Sequence, residues 1–146
     1  RHIIREMIDF HQIPYTLIND IRYGADFVRQ DGEVISNNIL TTPGRPAKKY
    51  AYCSDTAFAP EIVPYIKDVD ILYHEATFAE SEQERAKETY HSTARQAAEI
   101  AKAAEVKKLV IGHYSSRYNE LGFLLKEAVD IFPETELASE GKIFEL

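Results

Sequence analysis

Apolar residues near the amino terminus (Ile3, Ile4, Met7, Ile8) recur at helical spacing, so the chain is expected to open on an amphipathic helix. Further on, Phe27 to Gln30 and Glu33 to Ile35 flank Asp31-Gly32, a two-residue hairpin signal in which both turn residues take positive φ. From Ser36 to Lys49 the chain collects Asn, Thr, Pro and Gly and reads as a loop. Beyond it the pattern changes to short apolar runs alternating with helical segments, which predicts an α/β architecture. Tyr50 to Cys53 is the first strand of that series. Pro60 to Val69 follows as a short helix, with Pro60 in a first turn whose N–H groups need no partner. Asp70 to Tyr73 is the second strand. From Thr93 to Ala104 the positions Ala94, Ala97, Ala98, Ile100, Ala101 and Ala104 form a small-residue stripe suited to close packing on a sheet, and Thr93 and Gln96 have capping-box spacing. Lys107 to Ile111 is the third strand, broken by Gly112. Glu120 to Phe132 reads as a last amphipathic helix with Leu121, Leu124, Leu125, Ala128 and Val129 inward, and Leu137-Ala138, Gly141 and Ile143-Phe144 predict a closing edge hairpin.

Composition narrows this picture. With 146 residues and 45% hydrophobic content, the chain can bury one core, so a single domain over 1–146 is expected. The single cysteine, Cys53, excludes an internal disulfide and argues for a reducing, cytoplasmic setting. No apolar run approaches the roughly 18 residues needed to cross a bilayer, and no signal pattern opens the chain, so no membrane partner is expected. The chain starts at Arg1, inside the predicted first helix and without a methionine, as a fragment would. A net charge of −7 does not favour generic nucleic-acid binding, because phosphate neutralisation by Lys and Arg supplies most non-specific affinity. The one basic cluster, Arg45-Pro46-Ala47-Lys48-Lys49, reads as a solvated loop.

Each of the three central strands runs at its carboxyl end into ionisable residues: Cys53-Ser54-Asp55-Thr56, Tyr73-His74-Glu75-Ala76-Thr77 and Ile111-Gly112-His113-Tyr114-Ser115. Loops at the carboxyl ends of strands converge on one edge of an α/β sheet, so Asp55, Glu75 and His113 are expected to share a cleft. His91 lies just before the Thr93 helix, where free N–H groups favour anions. Other readings exist for each residue taken singly: Asp55 and Thr56 also suit a turn cap, His91 a surface position, and His74 a satisfied core histidine. Together, Asp, Glu and His on convergent ends supply the ligands, base and proton donor of a metal-assisted hydrolase.

In order and approximate spacing, Ser54-Asp55-Thr56, His74-Glu75-Ala76-Thr77, His91-Ser92-Thr93 and Gly112-His113-Tyr114-Ser115-Ser116-Arg117-Tyr118 resemble the motifs that close the ribonuclease Z branch of the metallo-β-lactamase fold. The resemblance covers most of the chain from about Pro43 onward. It implies the carboxyl-terminal half of an αββα sandwich, one mixed sheet with helices on one face. It further implies a zinc-dependent endoribonuclease acting on precursor tRNA. On these positions Asp55 would bridge two zinc ions, His113 would bind the second, and His91 would donate a proton to the leaving ribose oxygen while Glu75 holds and polarises it. Arg117 and Ser115 would contact phosphate, with His74 and Thr56 structural beside the site.

The same resemblance implies a His-x-His-x-Asp-His segment that this chain lacks; its remaining histidines, His2 and His11, have no such context. Two ligands fall short of a stable zinc site, so the chain is expected to bind zinc weakly or not at all, and to be inactive alone. A lone half would expose a sheet face, for which homodimerisation is the expected remedy. Two other functions fit the residues: a phosphodiesterase for small diesters on the same fold, and a metal-free interaction module.

Overall fold

The helix expected from Ile4, Met7 and Ile8 forms, over Arg5–Phe10, in the computed structural model, which describes residues 1–146. It belongs to the first of two units into which the chain packs, Arg1–Ala47 and Lys48–Leu146. The first unit runs β1 (His2–Ile3), α1 (Arg5–Phe10), α2 (Ile18–Arg22), β2 (Phe27–Val28), β3 (Val34–Ile35), α3 (Asn37–Leu40) and β4 (Thr41–Thr42). Its core is Ile8, Ile13, Ile21, Ile35 and Leu40.

Two expectations for this unit change. The hairpin forms, β2 pairing antiparallel with β3, but Gly32 alone takes positive φ (89°) and Asp31 does not. The Gly32 N–H donates to Arg29 O and the Arg29 N–H to Glu33 O, so the connection is a turn followed by a left-handed glycine, a longer loop than the two-residue type. The start of the expected Ser36 to Lys49 loop is instead ordered into α3 and β4, and β4 pairs with β1. Its anchor is the buried Asn37 side chain, which donates to Ile21 O and Ala25 O at 2.7 Å each. Bonds to residues so distant in sequence leave no trace in local composition.

The second unit contains β5 (Tyr50–Cys53), β6 (Ile71–Glu75), α4 (Gln83–Glu88), α5 (Ala94–Ala103), β7 (Leu109–Gly112), α6 (Gly122–Val129) and β8 (Thr135–Leu137). The four strands form one parallel sheet in the order β5-β6-β7-β8. The α/β class holds, and parallel and antiparallel pairings lie in separate sheets. Leu72, Leu109 and Ile111 point to one face, where they pack with Ala97, Ala98, Ala101, Leu124 and Ala128 of α5 and α6. Alanines at helical spacing let the α5 backbone approach the sheet closely, and the predicted Thr93–Gln96 capping box closes its first turn. On the other face Tyr52 stacks on Tyr73 with ring centroids 4.6 Å apart, and Gly112 leaves room for the Tyr73 ring, which any side chain there would strike.

Two further boundaries differ from expectation. The predicted Pro60 to Val69 helix is a 3-10 segment, Pro60–Tyr65, because Pro64 inside it has no N–H to give an α-helical ladder. The carboxyl-terminal hairpin does not form. Leu137 instead ends β8, parallel to Ile111 of β7, while Phe144 and Leu146 line a cavity with Tyr50, Ile71, Tyr73 and Val110 on the tyrosine face. Only Phe144 of this tail is half-buried there, while Ile143 and Leu146 stay exposed.

Candidate functional site

Register brings the predicted residues to one edge. Cys53 lies opposite His74 and Glu75 opposite Gly112, so the chain leaving β5, β6 and β7 emerges side by side. Asp55 and His113 stand just beyond β5 and β7, and both take left-handed backbone (φ 51° and 59°). For residues other than glycine, such a conformation costs about 1–3 kcal/mol each and persists where the surroundings fix it, commonly at functional sites. The result sets His113 Nε2 3.0 Å from Asp55 Oδ1. His91 joins them: nitrogen or oxygen ligand atoms of Asp55, His91 and His113 all lie within 4.8 Å of one another.

Glu75 sits behind this group, fully buried. A buried carboxylate is tolerable only when hydrogen-bonded, and Glu75 accepts from the Thr56 N–H (2.7 Å), the Ser92 N–H (3.1 Å), the Thr77 hydroxyl (2.6 Å) and His91 Nδ1 (2.8 Å). The His91 proton is thereby fixed on Nδ1, leaving Nε2 free. His91 is held between two helices: its N–H donates to Ala86 O at the end of α4, and Tyr90 before it turns in left-handed backbone (φ 60°).

Thr77 completes the arrangement. Its hydroxyl has one proton, given to Glu75 at 2.6 Å, so toward His113 Nδ1 at 2.9 Å it must accept. That places the His113 proton on Nδ1 and turns the Nε2 lone pair toward Asp55 Oδ1. Two acceptors facing each other at 3.0 Å require a proton or a cation between them. Imidazole, carboxylate and a second imidazole are donors suited to a divalent transition metal, and a histidine ligand whose far nitrogen is hydrogen-bonded is the usual supporting arrangement. The residues present therefore fit a metal. Reading the sequence alone assigns neither Thr77 nor Ser92 a role; both lie inside the motifs quoted above, and what was missing is their three-dimensional convergence on Glu75.

The other predicted residues stand apart from this cluster. Arg117 Nη1 is paired with Glu82 Oε1 at 3.1 Å, and its guanidinium lies over the Phe78 ring. Ser115 donates its N–H to Thr77 O. Thr56 contributes its N–H to Glu75, with its hydroxyl turned to Ala57 O. His74 is fully buried; its Nδ1 meets Glu75 O at 2.7 Å, its Nε2 has no partner, and burial holds its imidazole below the ordinary histidine range. His2 and His11 lie in the first unit, His2 in β1 and His11 beside Arg29. Of the basic cluster, Lys48 reaches Asp70 at 3.8 Å.

Comparison with known proteins adds relatives to this geometry. The family model described as a beta-lactamase superfamily domain matches residues 19–114. The chain is 63% identical over 140 residues to the ribonuclease Z of Parabacteroides distasonis, covering 96% of this chain and 46% of that protein. It is 61% identical to that of Bacteroides thetaiotaomicron, again over 96% of the chain, and 44% of the relative. The chain thus spans just under half the length of the curated relatives it matches. Among solved structures it superimposes on the metallo-beta-lactamase fold protein YhfI from Bacillus subtilis with a TM-score of 0.60 at 25% identity, over 64% of this chain and 38% of that one. A long form RNase Z from yeast shares the fold at a TM-score of 0.58 and 22% identity, over 90% of this chain and 18% of that one.

Proposed function

Because this chain belongs to the beta-lactamase superfamily, we propose that it is the carboxyl-terminal part of a zinc-dependent endoribonuclease that removes 3′ trailers from precursor tRNA. The observation that carries this reading is the His91–Glu75 pair, 2.8 Å apart, beside the facing acceptors of Asp55 and His113. An imidazole with its Nδ1 proton pinned to a buried carboxylate holds Nε2 in position to take up a proton and pass it on, next to a site for a cation. Identity of 52–63% to ribonucleases Z of several bacteria supports the same reaction class.

In this reading Asp55 and His113 hold the metal, with further ligands supplied from outside this chain. When bound, zinc supplies positive charge that favours hydroxide as the nucleophile and offsets charge on the phosphodiester oxygens. Glu75 holds the His91 proton on Nδ1 and orients the ring, so that a proton carried on Nε2 can pass to the departing ribose oxygen. Arg117 exchanges Glu82 for a phosphate oxygen, to which its planar fork is matched, and Ser115 adds a hydroxyl there. His74 and Thr56 keep the β6 end and the Glu75 carboxylate in place.

Both units are read as parts of one partial domain, since the matched family segment runs across their boundary at Ala47. The chain by itself is then inactive. Self-association would cover the parallel sheet's tyrosine face, where Tyr50 and Tyr52 are 53% and 63% exposed. No helix is long and apolar enough to cross a membrane, and a cytoplasmic setting fits the tRNA substrate.

The test is a chimaera in which this chain replaces the matching residues of the Parabacteroides distasonis ribonuclease Z. It is expected to release the 3′ trailer from precursor tRNA and to leave small diesters largely intact. Preference for small diesters would favour a small-molecule phosphodiesterase. A folded Asp55→Ala or His91→Ala chimaera that loses activity would rule out the third reading, a metal-free interaction module that keeps the motifs only as packing.

A further inference from the structure

His91 lines a cavity of about 360 Å³ on the side of α4, together with Phe58, Gln83, Glu84 and Lys87. We propose that this cavity is a nucleotide subsite: it takes the base and sugar of the nucleotide whose ribose oxygen departs, with Phe58 as the stacking platform. The assignment rests on the proton-donor role of His91 given above. A donor must lie within hydrogen-bond reach of the oxygen it protonates, so the ribose carrying that oxygen lies against His91, and its base falls into whatever space His91 borders.

The chemistry of the walls matches one nucleotide. The volume is at the lower end of the range for small-molecule sites, about 300–1,000 Å³. Phe58 is 40% exposed and stacks on no other aromatic ring of the chain, so one face is open to a base. Gln83 and Lys87 are four residues apart on α4, and side chains at that spacing project from one helix face. Lys87 is exposed and pairs with no carboxylate, unlike Arg117, and so is a free cation for the phosphate on the 5′ side of the bound nucleotide. Gln83 makes no side-chain hydrogen bond within the chain and can read a base edge. Glu84 between them repels a second phosphate and accepts from an exocyclic amine, which favours a base rather than a longer anionic chain in the cavity.

The experiment crosses protein and substrate changes in the chimaera. Removing the base immediately 5′ of the cut, as an abasic residue, and substituting Phe58→Ala are each expected to lower kcat/KM roughly ten- to hundredfold, the span of base-stacking energies. Combined, they should lose little more than either alone, while Phe58→Tyr retains most activity. Equal losses from Phe58→Ala on normal and abasic substrates, or no loss on either, would overturn the subsite while RNA cleavage itself persists. A chimaera that melts cooperatively and cuts no RNA would overturn the nuclease reading, and the subsite with it. Independently of the chimaera, the present chain is titrated with a nucleoside 5′-monophosphate, followed by amide chemical shifts. Shifts centred on Phe58, Gln83 and Lys87 with the nucleotide, and absent with ribose 5-phosphate, are expected. Shifts that are equal for the two, or that lie elsewhere, would overturn the subsite.

Discussion

Nε2 of His113 lies 3.0 Å from Oδ1 of Asp55, two acceptors face to face, because the hydrogen bond from Nδ1 to Thr77 commits the histidine's proton to its other nitrogen. Zinc binding to this chain is therefore expected to be weak, to release protons, and to weaken as pH falls. Calorimetry in two buffers of different ionisation enthalpy measures the proton release. His113→Ala and Asp55→Ala should each abolish the binding, and binding unaffected by both would place the metal elsewhere.

Glu75 and Thr77 act on that site from behind. Replacing Thr77 by valine keeps the shape, removes the proton given to Glu75 and leaves His113 Nδ1 without an acceptor. A buried acceptor deprived of its donor costs about 1–3 kcal/mol, and loss of a ligand's supporting bond lowers metal affinity about 10–100-fold. Denaturant unfolding and zinc titration of the same variant check both. In the chimaera, Glu75→Gln presents a neutral amide to His91 and should lower kcat about 10²–10⁴-fold, the usual worth of a general acid. Retained kcat would remove His91 from that role.

His74 makes stability depend on pH near neutrality. Burial lowers its folded pKa below the ordinary 6.5, so the unfolded chain takes up a proton that the folded chain refuses. The stability this protects is fully present above about 6.5 and declines as pH falls from there toward the folded value. Urea midpoints measured from pH 8 to 5 should fall with pH, and the slope should flatten in His74→Gln. An unchanged slope would assign it to other groups.

Glu136 acts at lower pH. Lys108 and Lys142, at 2.6 Å and 2.8 Å, pull its carboxyl from the ordinary 4.5 down to about 2. Because the folded pKa is depressed, the contribution is present above 4.5 and lost as pH falls toward 2. All three side chains are more than a third exposed, so the effect is small and screened by salt. Melting curves of Glu136→Gln should differ from those of the unsubstituted chain at pH 6 in low salt and converge with them at pH 2 or in 1 M salt.

Much of the second unit can be read from the sequence because its elements declare themselves locally. The Thr93–Gln96 capping box, the alanine stripe of α5 and the short apolar runs of β5 and β7 depend on residues within a turn or two of each other. The elements that escaped are held by distant partners. The bonds from Asn37 to Ile21 and Ala25 order a segment that composition marks as loop, and Phe144 borders the tyrosine-face cavity where a hairpin was expected.

The same division runs through the site. The sequence by itself determined that Asp55, Glu75 and His113 stand at the carboxyl ends of three strands and that His91 precedes a helix, since strand and helix periodicity place residues along one dimension. It also determined the family, through motifs whose order survives in the linear chain. Only the tertiary structure decided which nitrogen of each histidine is free, that Thr77 and Ser92 hold the Glu75 carboxylate, and that Arg117 is engaged by Glu82. Those outcomes turn on hydrogen-bond distances of about 3 Å between residues far apart in sequence, and such distances exist only once parallel pairing of β5, β6 and β7 has set the register.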